Sequence, residues 1–599
     1  MSVDQEKAFD RVSHRYLFDT LKHFGFGDVL INWVKILYKN IYSRVLVNGF
    51  TSEAIDIGRS VRQGCPIAPL LYICVIETLL IKIRNDKDIH GIRSPCNFIE
   101  HLISAFADDT GFFLAGLNSV RLVLTKFDMF GEVSGSKVNI DKTEGMWLGK
   151  HKQKPDTPLG IKWVKSTKSL GIFFGHNDID SLNWVRCLDK FKTALNLYMI
   201  RSNTIMGRTT IINYVGYSKI WYKAMALLLP INICKKPNGQ LVDVCKEFDF
   251  NTLAFMWGYQ IDRQTKVKKI KKALIAKKTL ILPKNNGGTG LIDYRKKLKA
   301  FRILLVYKYF EPKYKPWKDI VRYWFCPTLR SISLEVWNNL HLHVDSLENV
   351  PLFFKQCILD FKNYFERHGS SVTEKINTKI IYQNLINEMI YTPASLIRFP
   401  VILANGYFLS VFGKNNLDPY LREFLYKFYH CVPYFKKYKT DINDLINLNN
   451  NNKCFLCGIS LDTPSHLFNY CKFGKDMRKF RNKIIKKINI NNIQISNENL
   501  IYANIPNNNN INLMIQYLIV LSNYVIYRVK MKKFYNLNYT PSISESLYAF
   551  RHRLKFRIIC DSRRWSRDQV LETWDPGGQN LLFTLDGDNN VNFSTFQNF

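Results

Sequence analysis

The sequence predicts an α+β chain, with an antiparallel sheet and its helices in about the first 175 residues and mostly helix beyond. Three observations carry this. Up to about Gly175, short apolar strand-like runs alternate with amphipathic helical stretches. In LISAFADDTGFFLA, two apolar runs flank Ala107-Asp108-Asp109, which reads as a hairpin with adjacent carboxylates at its tip. In VRQGCPIAPLLYICVIETLL, the Gly64-Cys65-Pro66 break opens a long apolar helix. From Asn183 to about Tyr323 the pattern turns helical and basic, and a mostly helical region follows to about Asp444. An Asn-rich linker, a Cys/His cluster from Cys454 to Cys471 and a basic helical tail complete the order, with no internal repeat.

Length and charge narrow the partners. A chain of 599 residues has enough apolar surface for several cores. Its 85 Lys and Arg against 49 Asp and Glu leave +36, which repels basic surfaces and attracts a polyanion, most simply a phosphate backbone. A codon bias toward Lys, Asn, Ile and Tyr is the competing source, and the Asn runs at Asn449 to Asn452 and Asn507 to Asn510 fit it. Between Arg263 and Ile292 the basic residues Lys266, Lys268, Lys269, Lys271, Lys272, Lys277 and Lys278 crowd one stretch, either a backbone-tracking surface or a solvated helix face. Thirteen irregularly spaced cysteines do not make a disulfide framework, and MSVDQEKAFD has no signal segment. The reading is a reducing, intracellular compartment. The apolar stretch Leu513 to Val529 is interrupted by Gln516, Ser522, Asn523 and Arg528, so it predicts a buried helix and no membrane span.

Adjacent aspartates at a turn are common on surfaces; what distinguishes Asp108 and Asp109 is their company. Asp4 lies in VDQEKAFD, Arg62-Gln63-Gly64-Cys65-Pro66 precedes the apolar helix, Gly135 to Thr143 read GSKVNIDKT, and Ser169-Leu170-Gly171-Ile172 follow in a strand-like run. This ordered set (DxxKAFD, RQGCPxxPLL, FADD, SGxKxNxxKT, SLGI) resembles the palm of reverse transcriptases, in the family's order and spacing. The KAFD and QGCP wording and SGSKVNIDKTEGMWLG resemble LINE-type, non-LTR retrotransposons; intron maturases usually read QGG at the second motif, which argues against a splicing factor. NWVRCLDKF, MGRTTIINYVGYSKIWY, FMWG and NNGGTGLIDY resemble the LINE thumb and the region after it. Ala68 departs from the serine usual in these elements.

The resemblance implies a right-hand polymerase palm over 1–180, a thumb and post-thumb basic region over 181–325, a helical region over 326–445, a linker with a CCHC zinc knuckle over 446–475 and a basic tail over 476–599. Phosphoryl transfer asks a protein mainly to position metal ions on the attacking and leaving oxygens, and hard carboxylate oxygens suit Mg²⁺. By resemblance, Asp4 and Asp108 bridge two Mg²⁺ ions, Asp109 completes the site and the Gln5 carbonyl adds a ligand. Phe9 matches the bulky gate under the sugar that selects deoxynucleotides; a core aromatic is the alternative. Gln63 and Gly64 match positions packing on the templating base pair, Arg62 contacts template phosphate or is simply solvated, and Lys142 matches a lysine that protonates pyrophosphate. The implied partners are an RNA template, a DNA primer or target site and deoxynucleoside triphosphates, with a ribonucleoprotein moving between cytoplasm and nucleus.

Cys454, Cys457, His466 and Cys471 offer three thiolates and an imidazole at a spacing that one closed, tetrahedral Zn²⁺ satisfies; scattered core cysteines are the other reading. LINE reverse transcriptases commonly carry a similar knuckle, and here Phe455, Phe468, Tyr470 and Lys472 are expected to face single-stranded nucleic acid. Only Met1, Ser2 and Val3 precede Asp4. The expectation is a chain cut off before its first catalytic aspartate, without fingers, and a poor polymerase as written. The competing function is an inactive remnant that still binds nucleic acid.

Overall fold

The computed structural model describes residues 1–93, 100–152, 157–176, 178–200, 204–261, 268–270, 273–311, 313, 315–319, 321, 324–325, 350–368, 376–389, 391, 393, 417–432, 435, 453–488, 494–503, 505, 510–576, 578–580 and 582–593. These form two compact units. The first takes Met1–Phe191, Lys219–Phe248 and Arg295–Asn384; the second takes Lys192–Ser218, Asp249–Tyr294 and Leu385–Phe599. The five segments read from the sequence run through these units rather than coinciding with them.

The first unit is built on a five-stranded sheet in the order Lys162–Trp163, Glu144–Gly145, Ser2–Val3, Asp109–Phe112, Ile103–Phe106. Only the Glu144–Gly145 and Lys162–Trp163 pair is parallel. Ser2–Val3 lies in the middle, paired on both sides, and Val3 is buried. Beneath the sheet, Leu71, Tyr72, Val75, Ile76, Leu79 and Leu80 of helix Ala68–Arg84 repeat at helical spacing and meet Phe112, Val123, Phe127 and Leu17 in one core. Pro69 sits in the first turn of that helix, where its missing N–H costs nothing. Helix Leu117–Ser134 ends at Gly135, whose φ of 82° is left-handed; a Cβ there would lie 2.7 Å from the Arg11 carbonyl, so only glycine closes this junction.

The second unit is mostly helical. Helix Asn510–Tyr535 runs through it and packs against Pro419–Tyr429, Lys475–Ile488, Ile543–Ser562 and Arg567–Trp574. This is the stretch read as a buried helix, and Ile515, Leu518, Ile519, Leu521 and Ile526 are buried along it. Its polar breaks are satisfied inside: Gln516 donates to the Ala503 carbonyl, and Asn523 to Leu500 and Ile501. No helix among the described residues is long and apolar enough to cross a membrane.

Two local expectations are corrected. Ser169 to Ile172 is a tight hairpin, not a continuous strand: Ser166–Ser169 pairs with Ile172–Gly175, and Leu170 (φ 47°) and Gly171 (φ 81°) make the turn. The basic stretch after Tyr259 is helix only in part: Tyr259–Ile261 pairs antiparallel with Lys268–Ile270, and Lys277 and Lys278 open the short helix Lys277–Ile281. Lys266, Lys271, Lys272 and Asn449 to Asn452 lie outside the described residues.

Candidate active site and metal centre

The register of the sheet builds the carboxylate site. Ile103–Phe106 and Asp109–Phe112 pair with Phe106 opposite Asp109, leaving Ala107-Asp108 as a two-residue turn. Ala107 takes φ 53°, the left-handed region that costs a non-glycine residue about 1–2 kcal/mol. On the other side Ser2 faces Gly111 and Val3 faces Thr110, so one further step sets Asp4 opposite Asp109. Val3, Thr110 and Phe112 are buried on one face; Asp109 is exposed on the other.

Asp4 is seated by its neighbours on the chain's fourth motif. Asn139 donates its backbone N–H to the Asp4 carbonyl at 2.8 Å, and the Asp4 N–H donates to the Thr143 hydroxyl at 3.4 Å. Asn139 also caps the 3-10 turn Ile140–Lys142 by accepting from the Lys142 N–H, which leaves the Lys142 side chain exposed. The Asn-x-x-Lys-Thr wording thus has a local cause: Asn139 and Thr143 hold the backbone that carries Asp4.

Asp109 feels the other two carboxylates. Burial pushes the Asp109 carboxyl above its ordinary range, and the charges of Asp108 and Asp4 push it further, with Lys168 opposing. A carboxyl raised in this way stabilises the fold while protonated, and that contribution is lost as pH rises through its folded value. Asp109→Asn is therefore expected to raise the melting temperature of the metal-free protein near neutral pH, by less as pH falls into the carboxylate range. Mg²⁺ should raise the wild-type melting temperature and leave the variant's almost unmoved; scanning calorimetry over a pH series with and without Mg²⁺ checks both. A hard-oxygen donor set whose charges repel fits a divalent cation.

Ser60 and Val61 donate to the Val12 and Phe9 carbonyls, which lays the segment of Arg62, Gln63 and Gly64 along the start of the chain. All three are exposed, and the Gln63 amide lies 3.5 Å from the Asp10 carboxylate. Gly64 has φ 83° and open space where a Cβ would point. Phe9 is half-buried, its ring stacked on Tyr72 at 4.6 Å and 15°. Tyr72 was not singled out by sequence. It is the aromatic in GCPIAPLLY, buried beneath Phe9, and burial together with the Asp108 charge pushes its phenol up. Lys168, in the hairpin before Leu170, was also missed because nothing local in sequence ties it to Asp109.

The second cluster lies in the second unit. Cys454, Cys457, His466 and Cys471 bring their ligand atoms within 4.8 Å of one another. The Cys454 N–H donates to the Ser460 carbonyl and the Gly458 N–H to Cys454, closing a tight turn at Gly458 (φ 69°) that presents both thiols. The Cys457 thiol and His466 Nε2 are 3.2 Å apart. The neighbouring Cys471 thiol, then His466, hold Cys454 well below the usual thiol range. Among the described residues this is the one group of three or more His, Cys, Asp or Glu gathered closely enough for a single ion.

The rings around this cluster correct the sequence reading. Phe468 is fully buried, edge-on to Phe428 and Phe435, and Phe455 packs on Phe534. Tyr470 and Lys472 are exposed as expected. The loop is also tied to helix Asn510–Tyr535 by Lys530, whose ammonium lies 2.8 Å from Asp462 with both side chains wholly buried.

Residues 1–174 match the family described as reverse transcriptase (RNA-dependent DNA polymerase). The chain is similar to the Transposon TX1 uncharacterized 149 kDa protein of Xenopus laevis, 27% identical over 52% of this chain and 22% of that protein. It is also similar to the Retrovirus-related Pol polyprotein from type-2 retrotransposable element R2DM of Drosophila melanogaster, 29% identical over 26% of this chain and 14% of that protein. A Retrovirus-related Pol polyprotein from type-1 retrotransposable element R2 of Popillia japonica is 33% identical over 18% of this chain and 18% of its own length. The chain spans less than a quarter of the length of each of these relatives.

Proposed function

Because residues 1–174 are a reverse transcriptase domain of the LINE type, we propose that this chain is an RNA-directed DNA polymerase that extends a DNA 3′ end on an RNA template. What supports it is the register that pairs Ser2 with Gly111 and Val3 with Thr110, next to Asp4 and Asp109, with Asp108 in the adjoining turn. Asp4, Asp108 and Asp109 would hold two Mg²⁺ ions. When bound, these supply the positive charge that phosphoryl transfer needs at the attacking and leaving oxygens.

The chain's own residues do the positioning. Asn139 and Thr143 keep Asp4 in place, Gln63 and Gly64 offer an exposed edge to the template pair, Arg62 offers a cation to its phosphate, and exposed Lys142 can donate a proton to pyrophosphate. The Cys454, Cys457, His466 and Cys471 set would hold one structural Zn²⁺ with no open position for substrate. The test is Mg²⁺-dependent primer extension on RNA and DNA templates, with Asp108→Asn as the control. Nucleic-acid binding without extension would instead mark an inactive remnant.

Phe9 would stand under the incoming sugar, where its ring excludes a ribose 2′-hydroxyl, and Tyr72 stacked behind it keeps that ring from yielding. Phe9→Val is expected to raise ribonucleotide use relative to deoxynucleotide by roughly 10–200-fold, the range open to apolar discrimination. Tyr72→Leu should raise it by less and Tyr72→Phe hardly at all. Competitive incorporation of ribo- and deoxynucleotides checks this, and equal ratios in all variants would remove the gate.

A further inference from the structure

Helix Ile543–Ser562 is apolar on two faces, although packing requires only one. Its inner face, Ser546, Phe550, Leu554 and Ile558, repeats every four residues and is buried in the second unit. Its outer face repeats at the same interval with Tyr548, His552 and Phe556. Tyr548 is 72% exposed and Phe556 63%, and His552 between them is exposed as well. The Tyr548 and His552 rings stack at 6.1 Å and 29°. Large aromatic side chains seldom stand in water in a regular row, one helical turn (about 5–6 Å) apart.

The surroundings of the row are cationic. Beyond the C-terminal end of the helix, Arg563 and Arg564 are exposed, and their side chains make no ion pair among the described residues. The acids on the helix are already engaged: Glu545 with Lys532, and Asp561 with Arg557 and Trp574. What remains outward is a row of rings with two exposed arginines, Arg563 and Arg564, beyond its C-terminal end. A protein partner burying such rings would be met by uncompensated arginines, whereas a nucleic-acid strand supplies both stacking faces and phosphates.

We propose that Tyr548, His552 and Phe556 form a stacking platform for unpaired bases of a single-stranded nucleic acid, with Arg563 and Arg564 taking the phosphates beyond its C-terminal end. This deepens the polymerase reading, which gives the chain a template and a displaced strand to hold, but it concerns a surface remote in sequence from the carboxylate site. Duplex bases are closed to such rings, so the platform selects unpaired strands.

The experiment uses the full chain and a fluorescent oligouridine or oligothymidine, with the corresponding duplex as a second probe, and reads anisotropy over a salt series. Tyr548→Ala with Phe556→Ala is expected to weaken single-strand binding by at least about tenfold, since one stacked base is worth roughly 5- to 150-fold. The slope of log affinity against log salt should stay unchanged, because rings release no counterions. Arg563→Ala with Arg564→Ala should lower that slope, and Tyr548→Phe should bind as wild type. Unchanged melting temperatures for these exposed substitutions verify the fold. Unchanged single-strand affinity, or an equal loss on duplex, would overturn the platform. Primer extension in the same preparations separates the two readings: extension lost only with Asp108→Asn leaves the polymerase reading standing if the platform fails, and the binding result decides the platform whether or not extension is seen.

Discussion

Asp108→Asn is expected to lower primer extension by at least about a hundredfold, the cost of misplacing one essential group, while changing affinity for RNA by less than about threefold. The asymmetry follows from where the residue sits. Asp108 occupies the turn of the Ile103–Phe106 and Asp109–Phe112 hairpin and is exposed, so an isosteric amide leaves the pairing and the core beneath it undisturbed. What it removes is one of the two carboxylates whose charges act on Asp109, and which a divalent cation would draw together with it. RNA affinity should instead come from lysines and arginines dispersed over a chain of +36 net charge. Single-turnover extension beside filter binding with one RNA measures both. Extension at close to the wild-type rate would refute the carboxylate assignment.

Cys457→Ser is expected to remove one zinc per chain and to loosen far more than the loop that carries it. Structural zinc in small modules contributes about 10–16 kcal/mol of apparent binding free energy, and losing a thiolate forfeits a large part of that. An Asn-rich linker before Cys454 suggests from sequence that the damage stays local. The packing says otherwise: Phe468 lies among Phe428 and Phe435, and Lys530 meets Asp462 with no solvent access. Freeing the loop uncovers those rings and strips a buried ammonium of its partner, a change that costs about 3–5 kcal/mol where it has been measured. Hydrogen exchange should therefore quicken along helix Asn510–Tyr535 as well as in the loop, while the Ala68–Arg84 helix of the other unit keeps its protection. Metal analysis showing full zinc in the variant, or exchange confined to the loop, would contradict this account.

What could be read from sequence was whatever depends on near neighbours. The hairpin around Asp108, the helix opening after Gly64-Cys65-Pro66 and the turn-forming Cys454-to-Cys457 spacing are all set within a few residues, and each stands where expected. Asp4, Asp108 and Asp109 could be grouped because their motifs occur in a known order, although the contact between them spans more than a hundred residues. Reading failed where a residue's role depends on what arrives from afar. Tyr72 looks like any core aromatic until Phe9 stacks on it. Phe468 looks like a surface ring beside a metal loop until Phe428 and Phe435 close over it. Leu170-Gly171 reads as strand because Ile172, Phe173 and Phe174 continue it, yet the pairing of Ser169 with Ile172 leaves no room for anything but a turn.

The two-residue turn Ala107-Asp108 also sets how much length variation this stretch can absorb. Side chains along Asp109–Phe112 alternate, with Thr110 and Phe112 inward and Asp109 outward, and Phe106 opposite Asp109 keeps the phase. Adding or deleting one residue in the loop would leave the chain two poor choices: to bulge, or to slide by one and exchange the faces. Sliding would drive the Asp109 carboxylate into the apolar core and bring the Thr110 hydroxyl out beside Asp4. Point substitutions here can spare the fold and still silence the site, whereas a single-codon indel strikes both at once.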